Sequence, residues 1–311
     1  MTKKHQVPNI TDDPGLGDRL TGNYKRLMHK GGKPMMYRVG EQTFHPYQVL
    51  VEMSWVKFIL SIFMFYLVIN ALFGLLYVAI GNHTLSGIEV YGFRDSFLKA
   101  FFFSIQTFTT VGYGAVAPAC WTSNVIASIE ALFGLMIFAL ATGLFYARFA
   151  RPQKSVRFSE NAVIAPYHTH TGLMFRLVNI GNNELIELKI QVTLTYLTIE
   201  HGAPSRKYLT LKLERDQVSL FPFNWTVVHP IDEDSPLYGK TEADYQQMNV
   251  EIMVFLRGYD ATSGQLMHKN ESYSAEDFIW NAKFVSMYHA DPIKGTVLEL
   301  NKLHDVERLS A

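Results

Sequence analysis

The chain has 311 residues, with 28 basic and 28 acidic side chains and no formal net charge. Because nucleic-acid binders carry a basic surface, this balance argues against such a function. Charged residues make up 18% of the chain and aromatic residues 14%, which excludes a disordered protein. The single cysteine, Cys120, excludes an intrachain disulfide and a cysteine-rich metal site. The length fits about two domains.

Two long apolar stretches predict membrane spans. The first runs from Phe58 to Ile80 and the second from about Val125 to Tyr146, and a span needs about 20 apolar residues. The second stretch holds one carboxylate, Glu130. Neither is a signal peptide, because more than fifty residues precede the first and no small-residue cleavage pattern follows it. Two buried helices of a large soluble core are the alternative, which length and hydropathy disfavour.

Basic residues flank the two stretches on the same side of the membrane. They are Lys25, Arg26, Lys30, Lys33 and Arg38 before the first stretch, and Arg148, Arg151, Lys154 and Arg157 after the second. The segment between the stretches carries only two basic residues, Arg94 and Lys99. Since basic loops stay on the cytoplasmic side, both termini are predicted to be cytoplasmic and residues 81–121 to lie outside.

The segment between the two spans contains a short apolar helix and a glycine-rich run. Asp95 to Phe108 is aromatic but, at about 14 residues, too short to cross the bilayer, which predicts a re-entrant helix. The run Thr110-Val111-Gly112-Tyr113-Gly114 follows. Its alternate glycines let successive carbonyls point one way. Four such strands would form oxygen rings that replace the hydration shell of K⁺, with the Thr110 hydroxyl innermost. An ordinary glycine-rich turn is the alternative.

This arrangement resembles the pore domain of potassium channels. Three further stretches are similar to the inward-rectifier family, and to its prokaryotic members most of all: residues 147–152, 225–239 and 276–280. The resemblance runs from about His45 to the late 280s. Animal members usually carry a pore-helix Glu, an Arg after the filter and a cysteine pair, and Gln106, Ala115 to Pro118 and Cys120 depart from these. The resemblance implies a homotetramer, in which each chain has three identical subunits as partners.

The distal half of the chain has the period of β-strands. Ile186, Leu188, Ile190, Val192, Leu194 and Tyr196 alternate with polar residues. Further candidate strands are 156–165, 173–180, 207–213, 218–228, 250–257 and 283–288. Many short strands indicate a β-sandwich, and the resemblance implies an immunoglobulin-like domain whose four copies extend the pore into the cytosol.

The predicted fold is a membrane all-α two-span pore domain with a re-entrant pore helix, plus a cytoplasmic immunoglobulin-like β-sandwich. Residues 1–44 are predicted to form a cytoplasmic tail, mobile over its first 40 residues, and residues 45–55 an interfacial slide helix. An N-terminal extension of the first span is the alternative for 45–55. The pore domain takes residues 56–152 and the sandwich 153–311. Within the pore domain the spans are about 56–80 and 122–148, the pore helix about 95–108 and the filter 110–114.

The second span carries the candidate cavity and gate residues. A carboxylate facing lipid is costly, so Glu130 is expected to face the upper pore, or to pair behind the filter, and to attract cations. Phe138, Thr142 and Tyr146 recur every fourth residue and share a face. Core packing would explain them, but the resemblance implies a hydrophobic gate at the inner helix bundle that excludes hydrated ions by dewetting. Gly134 above them is a candidate hinge.

Regulatory contacts are expected on the cytoplasmic side. Arg148, Arg151 and Lys154 lie where anionic headgroups attract basic residues. Positive-inside topology alone would explain them, but the resemblance implies contact with phosphoinositide or another anionic lipid, with inhibition as the expected effect.

The resemblance also implies a cytoplasmic pore where acids hold Mg²⁺ or polyamine blockers. Glu187 matches one of these acids, and strand parity predicts that it points away from the sandwich core. Arg257 stands at the position of another of these acids, just before a loop from Gly258 to Gly264. Phe138 stands where strongly rectifying members of the family have an acid in the second span. We therefore expect weak to moderate voltage-dependent block.

Enzyme chemistry has little support in the sequence. Tyr167-His168-Thr169-His170 and Asp232-Glu233-Asp234 lack metal-site spacing, and no catalytic motif stands out. We expect no enzyme activity, no cofactor and no nucleic-acid partner, with K⁺ as the permeant ligand at Thr110 to Tyr113. Three hypotheses remain: a K⁺ channel in a bacterial inner (plasma) membrane, a less selective cation channel, and a membrane-anchored binding module with a vestigial pore.

Overall fold

The computed structural model describes residues 15, 26–35, 39–40, 45–87, 92–150, 155–200, 203–221 and 223–309. The chain divides into two units. The helical unit is Gly40–Arg151, and the β unit combines Met1–Val39 with Pro152–Ala311.

The helical unit contains four α-helices: α1 (Pro46–Glu52), α2 (Trp55–Ile80), α3 (Phe93–Phe108) and α4 (Trp121–Phe149). Two short strands, β1 (Leu85–Ser86) and β2 (Ala117–Pro118), pair antiparallel on either side of α3 in sequence. Helices α2 and α4 are long and apolar enough to cross a membrane. Most residues of both helices are exposed in the single chain, as expected for helices that face lipid or other subunits.

Helix α1 is separate from α2. Pro46 occupies its first turn, where a missing N–H costs nothing. Met53 and Ser54 then adopt extended backbone, with ψ of 161° and 154°, so the helix stops and restarts at Trp55. Helix α1, Pro46–Glu52, is therefore separate from the first span, and Trp55 at the end of the predicted segment belongs to α2.

Helix α3 packs closely against α2 through small residues. A Cβ added at Gly74 would lie 3.0 Å from the Phe101 Cα, so glycine lets the two helices approach. Tyr77, Ala100 and Phe103 form a buried cluster beside this contact. The re-entrant helix is thus held inside the helical unit rather than lying free.

The β unit contains fourteen strands among its described residues and one short α-helix, α5 (Glu242–Gln247). The strands are β3 (Val156–Phe158), β4 (Ala162–Tyr167), β5 (His170–Asn179), β6 (Leu185–Glu200), β7 (Ala203–Thr210), β8 (Gln217–Leu220), β9 (Asn224–Ile231), β10 (Glu251–Asp260), β11 (Gln265–Ser274), β12 (Phe278–Trp280), β13 (Ala282–Phe284), β14 (Tyr288–Asp291), β15 (Gly295–Leu298) and β16 (Val306–Arg308).

Two five-stranded sheets form the centre of this unit. One has the order β12-β4-β5-β3, with β9 also pairing with β5, and the other has the order β11-β10-β6-β7, with β8 also pairing with β6. Leu173 and Leu177 from the first sheet meet Leu188, Val192 and Ile252 from the second in one buried cluster. Because side chains from both inner faces share this core, the unit is a β-sandwich.

Several strands differ from their predicted limits. The predicted strand 156–165 is divided at Ser159, whose hydroxyl accepts a hydrogen bond from the Arg176 N–H at 3.1 Å in place of a regular ladder bond. The predicted strand 218–228 is divided between β8 and β9. Strand β11 was not predicted, because polar residues such as Asn270 interrupt its apolar alternation.

The expectation of a mobile tail is wrong for residues 26–35, which we call the N-terminal segment. Leu27 and Met28 are buried against Tyr208 and Met253 on the outer face of the second sheet. The Glu251 carboxylate accepts the backbone N–H groups of Leu27 and Met28 at 2.6 and 3.1 Å. The two apolar side chains were not recognised because two residues alone carry no periodic pattern.

Candidate functional site

The filter segment, Thr110–Gly114, follows directly on the C-terminus of α3. Its backbone folds back on that helix: the Thr110 N–H donates to the Thr107 carbonyl at 3.0 Å, and the Val111 N–H to the Gln106 carbonyl at 2.9 Å. The end of α3 therefore positions the start of the filter segment. All five residues are exposed in the single chain, which leaves them open to other copies or to solvent.

Backbone torsions alternate along the filter segment. Thr110, Gly112 and Gly114 have positive φ, at 59°, 52° and 79°. A Cβ added at either glycine would meet no atom within 4 Å, so any restriction there comes from the backbone and not from neighbouring atoms. Glycine adopts this region readily, whereas other L-residues do so at a cost.

A buried polar cluster lies behind the filter segment and joins three helices. The Tyr77 hydroxyl in α2 donates to Glu130 in α4 at 2.7 Å, and the Ser104 hydroxyl in α3 contacts the other Glu130 oxygen. Ser104 also lies 3.0 Å from Asn70 Oδ1, and Asn70 donates to the Tyr66 carbonyl at 2.7 Å. Such a cluster is stable only when its members satisfy one another.

Two positions were left open for Glu130, facing the upper pore or pairing behind the filter. In the single chain its side chain is fully buried and hydrogen-bonded to Tyr77, which favours pairing between the helices. The sequence pattern predicts no role for Tyr77, Ser104 or Asn70, because each is an isolated polar residue in its helix.

An apolar cavity of about 460 Å³ lies beside the filter segment. Its lining includes Phe108, Thr110, Gly134 and Phe138. A Cβ added at Gly134 would overlap the Phe108 carbonyl oxygen, so glycine lets α4 touch the end of α3. Helix α4 runs unbroken through this position. Gly134, expected from the sequence to be a hinge, therefore also has a packing role against α3.

The predicted gate residues lie on one exposed face of α4. Phe138 and Tyr146 are 72% and 75% exposed in the single chain. Thr142 between them is also exposed, and its hydroxyl donates to the Phe138 carbonyl at 2.9 Å. Exposed apolar side chains on a membrane span can face lipid, another chain or a pore, and all three environments fit this face of α4.

Arg148, expected from the sequence to contact anionic lipid, makes its described side-chain hydrogen bonds with the end of helix α1. Its guanidinium donates to the carbonyls of Leu50, Val51 and Met53 at 2.6, 2.9 and 2.7 Å. It is buried and lies 4.7 Å from the ring centre of Trp55. A cation at the C-terminal end of a helix satisfies free carbonyls and the helix dipole. Arg148 therefore ties α1 to α4, while Arg151 and Lys154 lie outside the described residues.

The predicted cytoplasmic-pore residues sit at a β-bulge. Glu187 is exposed and has a positive φ of 52°, and the pairing of β10 with β6 shifts between Arg257 and Tyr259. Glu187 does point away from the core, but through this bulge rather than through regular strand alternation. Gly258 is buried within β10, packed against Leu188, so the loop is residues 261–264 and not Gly258 to Gly264.

Residues 167–170 and 232–234 carry the two polar clusters that the sequence analysis considered as metal sites. Among the described residues, no group of three or more His, Cys, Asp or Glu side chains is arranged to hold a metal ion. Asp232 accepts the Asp234 N–H at 3.2 Å, as in an ordinary Asx turn.

Comparison with known proteins covers both units. Residues 156–311 match the family described as "Inward rectifier potassium channel C-terminal domain", and residues 59–151 match the family described as "Ion channel". The inward rectifier potassium channel Kirbac3.1 of Paramagnetospirillum magnetotacticum is 36% identical over 298 residues, which are 92% of this chain and 99% of that protein. Inward rectifier potassium channel 4 of Homo sapiens is 30% identical over 207 residues, 61% of this chain and 45% of that protein.

Proposed function

The chain belongs to the inward rectifier potassium channel family, and we propose on that basis that it conducts K⁺ passively across a membrane as a homotetramer. This is a family of ion channels and not of enzymes. The observation that carries the proposal is the filter segment, which sits between α3 and α4 with positive φ at Gly112 and Gly114. In four copies, Thr110, Val111, Gly112 and Tyr113 would coordinate K⁺ through stacked oxygen rings.

The test is ion flux into liposomes that contain the purified full-length chain. K⁺ uptake should exceed Na⁺ uptake strongly, and Gly112→Ala should abolish or scramble that preference because alanine disfavours positive φ. Gly143→Ala is the matched control: an added Cβ meets no atom within 4 Å at either glycine, but Gly143 lies in helix α4 without the positive φ of Gly112. Unchanged selectivity in Gly112→Ala would refute the filter assignment.

The same assay separates the two competing functions. A less selective cation channel would pass Na⁺ and K⁺ at similar rates. A membrane-anchored binding module with a vestigial pore would pass neither ion, although it would still assemble. The intact run from Thr110 to Gly114 favours the selective channel over both.

For gating, we assign Phe138 and Tyr146 to hydrophobic constrictions at the inner helix bundle, with Thr142 between them. Their exposure on one face of α4 supports this assignment. Alanine at Phe138 or Tyr146 should raise basal flux, because a wider and less apolar pore wets more readily. If flux falls or stays constant while the tetramer remains intact, the gate lies elsewhere.

For lipid regulation, we assign the anionic headgroup contact to Arg151 and Lys154. Basic residues next to the membrane are attracted to anionic lipid. Phosphoinositide added to the liposomes should inhibit flux, and the double variant Arg151→Gln, Lys154→Gln should need more lipid for the same inhibition. An unaltered dose response in that variant would reject the contact.

For rectification, we assign cation block at the cytoplasmic side to Glu187, opposed by Arg257. Four copies of an exposed carboxylate raise the local cation concentration, whereas four arginines lower it. Spermine or Mg²⁺ on the cytoplasmic face should block weakly to moderately, and Glu187→Gln should reduce the block further. Strong block that survives Glu187→Gln would contradict this account.

For location, we place the chain in a bacterial inner membrane with both termini in the cytoplasm. Cys120 offers a direct test, because it is the only cysteine and lies between the two spans. A membrane-impermeant maleimide added to intact cells should label Cys120. Labelling only after the membrane is permeabilised would reverse the topology.

A further inference from the structure

Three basic side chains form a row across the second sheet of the β unit. Arg257 in β10 lies directly opposite Lys189 in β6 and directly opposite His268 in β11. Directly opposed residues of antiparallel strands share one face of a sheet, so all three side chains lie on the same surface, and all three are exposed. We call this set the basic row.

The basic row is not neutralised within the part of the chain that the structure describes. None of its three members forms a salt bridge to a described acidic side chain, although the sheet carries several acids elsewhere. Along β6 the nearest acid is Glu187, which sits at the bulge beyond Lys189. Like charges directly opposite each other destabilise a sheet, so this arrangement costs stability unless an anion lies against it.

A shallow cavity of about 350 Å³ surrounds the basic row. Gln191, Phe255, Leu256 and Asn270 complete its lining, and among them are two amide groups and one half-buried aromatic ring. Farther along the same face of β10, Met253 is covered by the N-terminal segment. Phe255 lines the cavity and also packs against the cluster that covers Met253, so the cavity adjoins the surface that the N-terminal segment covers.

We propose that the basic row binds a multivalent phosphate anion, either a free polyphosphate chain or the phosphate chain of a nucleoside triphosphate. An arginine presents a planar fork of donors that matches phosphate oxygens, and a lysine adds a mobile positive charge. Bound phosphates would remove the repulsion along the row. The row shares Arg257 with the proposed cytoplasmic pore, but anion binding there does not require that the protein conducts K⁺.

The test measures binding to the full-length protein in lipid nanodiscs by isothermal titration calorimetry. Sodium tripolyphosphate and ATP, each free of divalent cations, are titrated separately at one fixed ionic strength. Binding should be saturable. Arg257→Gln and Lys189→Gln should each weaken it about tenfold, as expected for loss of one charge-assisted contact.

Lys269→Gln is the matched control. Lys269 is the neighbour of His268 in β11, and strand alternation puts its side chain on the opposite face. Its loss should leave the affinity unchanged although it removes the same charge. If Lys269→Gln weakened binding as much as Arg257→Gln, the attraction would come from overall charge and not from the basic row. That result, or unchanged binding in Arg257→Gln, would overturn the site.

The two probes distinguish the sources of the phosphate. If ATP binds more tightly than tripolyphosphate and Phe255→Leu removes the difference, the ligand is a nucleoside triphosphate whose base contacts the ring. Equal affinities identify the phosphate chain alone. Because the readout is binding, a chain that failed to conduct K⁺ would still give a clear answer.

Discussion

The hydroxyl of Tyr77 in α2 donates a 2.7 Å hydrogen bond to the carboxylate of Glu130 in α4. Both side chains are buried, and Ser104 of α3 contacts the second carboxylate oxygen. A buried polar group that loses its partner costs about 1–3 kcal/mol. The polar cluster therefore fixes the position of α3, on whose C-terminal end the filter segment is built.

Tyr77→Phe should lower the thermal stability of the assembled protein and weaken K⁺ selectivity, because it leaves one Glu130 oxygen without its donor. Glu130→Gln keeps the shape and an acceptor for Tyr77, so conductance and barium block should stay close to wild type. Thermal unfolding in detergent and electrical recording in bilayers measure the two effects. A large change in barium block with Glu130→Gln would instead mean that the carboxylate faces the ion path.

Gly134 and Gly143 form a natural pair for testing close packing in α4. An alanine Cβ at Gly134 would overlap the Phe108 carbonyl oxygen, whereas at Gly143 it would meet nothing. Gly134→Ala should therefore destabilise the protein and disturb the filter. Gly143→Ala should be neutral or stabilise the helix by about 0.5–1 kcal/mol, the usual gain over glycine. Similar behaviour of the two variants in thermal unfolding would contradict the packing role.

The contacts of Arg148 predict that its loss will free helix α1 without changing the response to anionic lipid. Arg148→Gln removes the donors to Leu50, Val51 and Met53, so α1 should become mobile and basal flux should change. The concentration of anionic lipid that gives half-maximal response should stay the same. A spin label on exposed Gln48 of α1 would report the mobility. Conversely, a shifted lipid response with an immobile α1 would return Arg148 to the lipid site.

The sequence predicted elements whose signal is local. Two apolar stretches of sufficient length marked α2 and α4, and the alternation from Ile186 to Tyr196 marked β6. The run from Thr110 to Gly114 led to the filter proposal because its glycine spacing is visible in the sequence itself. In each case the deciding information lies within about twenty consecutive residues.

What the sequence did not predict depends on pairs that are far apart in the chain. Ser104 and Glu130 are ordinary residues until folding brings them together behind the filter segment. Arg148 was assigned to lipid because its position next to the membrane is visible in the sequence, while its contact with Leu50 is not. The basic row likewise forms only because the register of the paired strands places its three residues opposite one another. That register cannot be read from the sequence of one strand.

The N-terminal segment should be released by loss of Arg26. Its guanidinium donates to Asp277 at 3.0 Å and to the Ser272 carbonyl at 2.7 Å. Burial by itself would raise the pKa of Asp277, but hydrogen bonds from Lys30 and Ser274 outweigh it and hold the pKa below its usual range. Asp277 thus stays charged, and this anchor should persist in mildly acidic solution.

Hydrogen exchange of the Leu27 and Met28 amides measures the release. Arg26→Gln should speed their exchange about ten- to one-hundred-fold, since a charge-assisted hydrogen bond contributes about 1.5–3 kcal/mol. Lys33→Gln, an exposed change in the same segment, should have no effect. Equal exchange in wild type and Arg26→Gln would show that apolar burial alone holds the segment.

The buried, hydrogen-bonded ring of His229 should make the stability of the β unit depend on pH. Its Nδ1 lies 2.6 Å from the Lys212 carbonyl and its Nε2 lies 2.8 Å from the Ser235 hydroxyl, which fits a neutral ring with the proton on Nδ1. Burial lowers its pKa below the ordinary 6.5, although the Lys212 carbonyl and nearby Asp232 oppose the shift.

Because the folded pKa of His229 is the lower one, the unfolded chain binds more protons below about pH 6.5. The free energy of unfolding should therefore fall as pH drops from 6.5 toward the folded pKa, and should be independent of this group above 6.5. Thermal unfolding followed by tryptophan fluorescence measures it, with Trp225 on the same strand as a buried reporter. His229→Gln should lose stability at every pH but flatten the acid slope, whereas His170→Gln, at an exposed site in β5, should keep it. If His229→Gln retains the wild-type slope, another group titrates in its place.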